Sequence, residues 1–166
     1  MDIRDSASIN GQRANITASA STALGIYAIS GGTAAFSDHV NIDAPIAVQT
    51  GDVGSSVTFA DGLSTSEAST LLWAYDGAKI SVNSTGAGTV HYVGTTDITG
   101  TASDGTLDMT LNGAGSYWYL TGDSRATKLT NNGALLDMTK DGNKFSTLTL
   151  ADLSGENGWI KMDTGS

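Results

Sequence analysis

Three sets of side chains in this sequence are of types that do chemistry. The first is acidic. Asp97, Asp104 and Asp108 form one loose run, and Asp137, Asp141 and Asp152 form another. Clustered carboxylates act as general acid and base in glycoside cleavage, or hold Ca²⁺ in polysaccharide-active enzymes. Asp61, Asp76, Asp104 and Asp141, however, each precede a glycine, and Asp-Gly is the pairing that tight turns demand. The second set is His39 and His91, the only histidines. They lie far apart in sequence, and no carboxylate partner marks a metal site with them. In TVHYV, His91 alternates with Val90 and Tyr92, which puts it on the solvent side of a strand. The third set is the run Tyr117, Trp118, Tyr119. Neighbours on a strand point to opposite faces, so an inward Trp118 sends both tyrosines outward. Outward tyrosines stack on a sugar, anchor a protein partner, or lie under a neighbouring loop. Trp159 joins them as a surface aromatic by the same parity.

Other chemistry is excluded. The chain has no cysteine, which removes disulfides, thiolate metal sites and a thiol nucleophile. GxSxG, HExxH, the phosphate-binding glycine loop and the calcium-binding nonapeptide are all missing. No catalytic, cofactor-binding or metal-ligating residue is assigned, and the expectation is a protein that is not an enzyme. With 8 basic against 17 acidic residues and a formal net charge of -9, the surface repels phosphate backbones and anionic membranes. A nucleic-acid partner is therefore not expected.

The elements that carry these residues are strands. Short runs with period-two alternation recur, among them NITAS, GIYAIS, SVTFA, KISVN, TVHYV, TLDMTL, YWYL, TLTL and WIKM. Corners rich in Gly, Asn and Asp separate them. Residues 66 to 75, SEASTLLWAY, fit either a short helix with Glu67 in its first turn or a strand closed by Asp76-Gly77; the strand is preferred. Hydrophobic content is 39%, with 21 glycines and one proline, Pro45. Large apolar residues are thinly spread, which suits a narrow, repetitive interior.

SSVTFADG, GTVHYVGT, GTLDMTLN and GALLDMTK repeat in kind rather than identity. Their inward pairs are Val57/Phe59, Val90/Tyr92, Leu107/Met109 and Leu136/Met138. Such a degenerate repeat predicts an all-β solenoid, a parallel β-helix. At about 20 to 24 residues per lap it makes about seven or eight coils, stacked over about 35 Å. In FSTLTLADLSGENGWIKM, residues 145 to 162, Leu148, Leu150, Ile160 and Met162 are expected on the interior ladder and Lys161 in solvent. Leu150→Asp is expected to unfold the last coils. No cap is legible at either end, so the expectation is a stretch cut from a longer protein.

Residues 117 to 162 add a resemblance. Trp118 with Leu120, then Ser124, Leu129, Gly133, Leu136, Met138, Leu148, Thr149, Leu150, Leu153, Ser154, Gly155 and Gly158 follow one another in an order and spacing that resembles the C-terminal part of pertactin-like autotransporter passenger domains. The resemblance implies a right-handed parallel β-helix in which residues 1–116 are passenger coils and 117–166 begin an autochaperone-like segment of the same helix. It implies export from a Gram-negative cell, with the parent's own C-terminal translocator barrel as partner, and display at the surface. The role it implies is a rigid stalk supporting adhesion or weak self-association, whose last coils aid folding after export. In that family the segment runs on past the position of Met162, so full autochaperone activity is not expected here. The alternatives are a β-helical polysaccharide-active enzyme and a phage tail-fibre fragment.

Overall fold

The computed structural model describes residues 1–66, 68–84, 90–139 and 146–162. Every element among them is a strand. The first lap is β1 (Asp2–Ile3), β2 (Ser8–Gly11) and β3 (Ala14–Thr17); the second is β4 (Leu24–Ala28), β5 (Thr33–Phe36) and β6 (Val40–Asp43). The third is β7 (Ile46–Gly51), β8 (Ser56–Phe59) and β9 (Leu63–Thr65). Then come β10 (Thr70–Tyr75), β11 (Lys79–Val82) and β12 (His91–Val93), followed by β13 (Thr95–Asp97), β14 (Thr106–Asn112) and β15 (Tyr117–Tyr119). The last four strands are β16 (Ser124–Asn132), β17 (Leu135–Asp137), β18 (Leu148–Ser154) and β19 (Trp159–Lys161). The preferred strand over LLWAY is present as β10; Glu67, Asp141 and Phe145 lie outside the described residues.

All strand pairings within the sheets are parallel, each strand lying on the one a lap earlier. The sheets run β1-β4-β7-β10-β13, β2-β5-β8-β11-β14-β16-β18, β3-β6-β9 and β12-β15-β17-β19. The fold is thus an all-β parallel β-helix of about 6 turns, slightly fewer than expected. Laps are uneven, from 18 residues (Tyr117 to Leu135) to 27 (Lys79 to Thr106).

Parallel register puts like upon like. One inward row on the longest sheet is Ile9, Ala34, Val57, Ile80 and Leu107. A second is Gly11, Phe36, Phe59, Val82, Met109, Leu129 and Leu153. Phe36 and Phe59 stack with centroids 5.5 Å apart. On the neighbouring face Tyr92, Trp118, Leu136 and Ile160 form a third row. All four predicted inward pairs point into the core; seven of their residues are fully buried and Met138 is half-buried.

The cross-section changes near residue 120. Up to β15 each lap has three strands. Beyond it a lap has two among the described residues, because β16 and β18 are long and β16 turns the corner that two separate strands turn below. Ser124 and Arg125 of β16 sit over β13, where Thr96 N–H bonds Ser124 Oγ and Thr96 Oγ1 donates to Arg125 O.

Within the resemblance, Trp118, Ser124, Leu129 and Leu136 are buried, while Leu148 and Leu150 pack half-buried against the core. Gly133 and Gly155 hold positive φ, 78° and 118°. A Cβ on Gly155 would stand 2.2 Å from Asn131 O, so only glycine fits there. Gly158 lies against the Asn131 side chain.

One expectation is corrected. Ile160 and Met162 were placed in the interior, yet they are 45% and 64% exposed, and Leu153 is 52% exposed. Leu153 and Ile160 do stand in inward rows over Leu129 and Leu136. They are uncovered because β18 and β19 form the outermost layer among the described strands, and an inward residue is buried only by the layer on its far side.

Two truncations separate interior from end. Leu107→Ala removes a side chain sandwiched between laps and is expected to cost about 2–5 kcal/mol. Leu153→Ala is expected to cost less than about 1 kcal/mol. Because Leu150 is half-buried in the same end layer, Leu150→Asp is expected to fray β18 alone rather than unfold the last coils together. Denaturant titration of each variant checks the order; equal losses for Leu107→Ala and Leu153→Ala contradict the layering.

Candidate functional site

The outward residues of β3, β6, β9, β12, β15, β17 and β19 build the most elaborate surface. Asn15 pairs with Asn41 and Asn41 with Ser64 in strand register. Next come His91, Tyr117, Leu135 and Trp159. The row therefore runs from carboxamides through a hydroxyl to rings. A trough of about 480 Å³ follows its first part, lined by Asn15, Asn41, Asp43, Ser64, His91 and Tyr117 among others.

Rings close the trough at one end. His91 and Tyr117 stack with centroids 4.4 Å apart and planes 12° from parallel; Tyr117 meets Tyr119 at 4.4 Å and 34°. Such contacts are worth about 0.5–1.5 kcal/mol beyond the area they bury. Tyr117 and Tyr119 do face outward, as parity requires, and Trp118 is buried with Nε1–H donating to Gly94 O at 3.1 Å. His91 faces outward too, but it is half-buried by Tyr117 rather than free on the surface. The tyrosine faces are largely spent on one another. What they leave to a ligand are ring edges and hydroxyls, and the His91 face turned away from Tyr117. Trp159, 73% exposed, stands apart at the end layer.

Two hydroxyl side chains join the trough's halves. Backbone pairing stops between β9 and β12. In its place His91 N–H donates to Ser64 Oγ at 3.3 Å, Val93 N–H donates to Thr65 Oγ1 at 3.1 Å, and Thr65 Oγ1 bonds Val93 O at 3.2 Å. His39 Nε2 meets Ser64 Oγ at 2.9 Å, and its Nδ1 lies 3.2 Å from Asp61 O. A serine bonded to a histidine has the front half of a nucleophile–base relay. Here the serine oxygen also receives a backbone N–H from the next lap, so it serves as a latch between coils.

Next along the face, Val93, Tyr119, Asp137, Thr139 and Lys161 line a second hollow of about 460 Å³. Asp137, of the second acidic run, is only 5% exposed. Burial alone would raise its pKa. Bonds from Thr139 N–H at 2.9 Å and Thr139 Oγ1 at 2.5 Å, and from Lys161 Nζ at 3.0 Å, outweigh burial and hold it below the ordinary carboxylate range. Among the described residues the acids do not converge. Asp76 instead caps the 101–103 loop, accepting from Ala102 N–H at 2.7 Å and from Thr101 Oγ1 at 3.1 Å. Asp104 pairs with Arg125 at 3.9 Å and Asp152 with Lys128 at 3.3 Å. Among the described residues no three His, Cys, Asp or Glu gather as metal ligands.

Sequence reasoning missed Trp73. Its Nε1–H donates to Thr99 O at 3.3 Å, and with Thr70, Asp97 and Arg125 it lines a separate hollow of about 380 Å³ on another face. Outward parity in β10 was the available signal.

Fold and surface together define a parallel β-solenoid with a polar trough that ends in an aromatic stack. Against family models, curated proteins and solved structures alike, the chain finds no match.

Because the folded-state pKa of Asp137 lies below its unfolded value, the stability it supplies is present above the ordinary carboxylate range and lost as pH falls through the folded value. Lys161→Met leaves burial to act with one fewer opponent. Thermal melts between about pH 6 and pH 2 are expected to show a smaller acid-side loss in that variant, because its folded-state pKa moves toward the unfolded one; superimposable profiles contradict the assignment.

Proposed function

We propose that this chain is a stretch of a surface-displayed passenger of autotransporter type. It serves as a rigid β-solenoid stalk that supports adhesion or self-association. Its last coils, from about residue 117 on, aid folding after export. The observation that carries this reading is the parallel stack of the described strands, whose build changes near residue 120, close to where the autotransporter resemblance starts. Long two-strand laps replace three-strand laps there, and β14, β16 and β18 are joined along runs of five and six paired residues. An end built on longer continuous strands can fold first and template the laps beneath it, since each lap needs a formed neighbour to bury its apolar row. The lack of cysteine suits a chain threaded through a pore.

An export assay tests the reading. The 166-residue chain is placed between a secretory signal and an autotransporter translocator barrel in a Gram-negative host. It is expected at the cell surface as a core resistant to added protease. Trp118→Asp, which puts a charge into the buried row, is expected to leave the chain surface-exposed but degraded, or stalled. Retention of the wild-type chain in the periplasm would sink the proposal.

The enzyme alternative rests on acids that, among the described residues, are scattered and largely engaged in turns and ion pairs. Incubation with polygalacturonate, with and without Ca²⁺, is expected to release no product, and measurable cleavage overturns the non-enzymatic reading.

A further inference from the structure

The geometry points to the trough over β3, β6, β9 and β12 as a binding site for a neutral, hydroxyl-rich glycan lying along the solenoid axis, its terminal sugar against His91. This deepens the adhesive role proposed above by naming the ligand class.

Four observations carry it. The first is charge. The lining holds one charged residue, Asp43, and no lysine or arginine. In a chain of net charge -9, an anionic ligand would meet repulsion with nothing to offset it. The second is the lack of a large exposed apolar anchor, since the aliphatic part of the lining, Ile16 and Ile42, is half-buried and buried. None of the exposed large hydrophobic residues lies in the trough, and a protein partner would ordinarily seat on such an anchor.

The third is the supply of hydrogen-bonding groups. Asn41 Nδ2 donates to Asn15 Oδ1 at 2.9 Å, and both side chains are exposed. That bond uses one donor of one carboxamide and one acceptor position of the other. A carboxamide carries two donors and two acceptor positions, so most of this capacity faces the trough unspent. Asn side chains offer a donor and an acceptor side by side, as the vicinal hydroxyls of a sugar require. Ser64, held by His39 and by His91 N–H, adds a fixed polar group in the same row.

The fourth is the end wall. Tyr117 packs on one face of the His91 ring at 4.4 Å. The other face is turned toward the trough, which His91 lines. A braced flat ring at the end of the track bounds the site and meets the end of the terminal sugar, while the hydroxyls along the chain meet the track. Successive rows stand one coil rise apart, close to the length of one sugar unit. From β3 to β12 the track covers about 14 Å, room for about three sugars.

The site is tested on the purified chain, independently of export. Cellohexaose, maltohexaose, chitohexaose and mannohexaose are titrated calorimetrically, with a heparin hexasaccharide as anionic control. Saturable binding of at least one neutral probe is expected. Asn41→Ala and His91→Ala are each expected to weaken it about tenfold, the scale of a lost polar contact with its ordering. Trp73→Ala, on another face, is expected to leave it unchanged. Circular dichroism checks the fold of each variant. If a variant misfolds, side-chain amide NMR signals of Asn15 and Asn41 in the wild-type chain are followed instead, and they are expected to shift on titration. No binding by any neutral probe, binding by heparin alone, loss with Trp73→Ala instead, or unmoved Asn15 and Asn41 signals would each overturn the assignment. A glycan-silent chain that still reaches the cell surface leaves the stalk reading standing and removes only this one.

Discussion

The structure depends on the parallel backbone ladder between a strand and the strand one lap later. Register in that ladder decides which side chain meets which. It sets Val57 between Ala34 and Ile80, and Trp118 between Tyr92 and Leu136. Inward residues then form continuous apolar rows, and outward residues form continuous polar ones. A lap in isolation would expose its inward row to water, so the fold is stable only as a stack. The end layer shows the same physics, since Leu153 and Ile160 occupy core positions and are still wet.

Where backbone pairing lapses, hydroxyl side chains hold the laps together. Ser64 and Thr65 do so between β9 and β12, and Thr96 and Ser124 between β13 and β16. The hydroxyl can accept a backbone N–H and donate to a carbonyl, which is what the absent strand partner would have done. Both lapses fall where one sheet gives way to another. The first lies beneath the trough, where Ser64 turns from a ladder position into a fixed polar point on the surface. The second marks the change from three-strand to two-strand laps.

The face that carries the aromatic stack changes character along its length, from carboxamides to rings and then to the Asp137–Lys161 pair. Its rings pack on one another first. His91, Tyr117 and Tyr119 together make a rigid wall, whereas any one alone would be a mobile surface side chain. In a solenoid built this way the coils that bury the apolar rows also fix the spacing of the polar groups on the outward face.

Much of this was legible in the sequence, because a strand's two-residue period assigns each side chain to a face without reference to anything distant. Trp118 inward with Tyr117 and Tyr119 outward, the strand over LLWAY, and the corners at Asp76-Gly77 and Gly133 all follow from local geometry. Lateral neighbours did not follow, because laps vary from 18 to 27 residues and counting cannot say that His91 falls on Tyr117 or Lys161 on Asp137. Nor did burial at the end follow: Ile160 and Met162 carry the pattern of a core, but burial belongs to the layer above. The sequence by itself determined which face each residue takes. Only the tertiary structure decided what lies over it, since that depends on loop lengths summed around a whole lap.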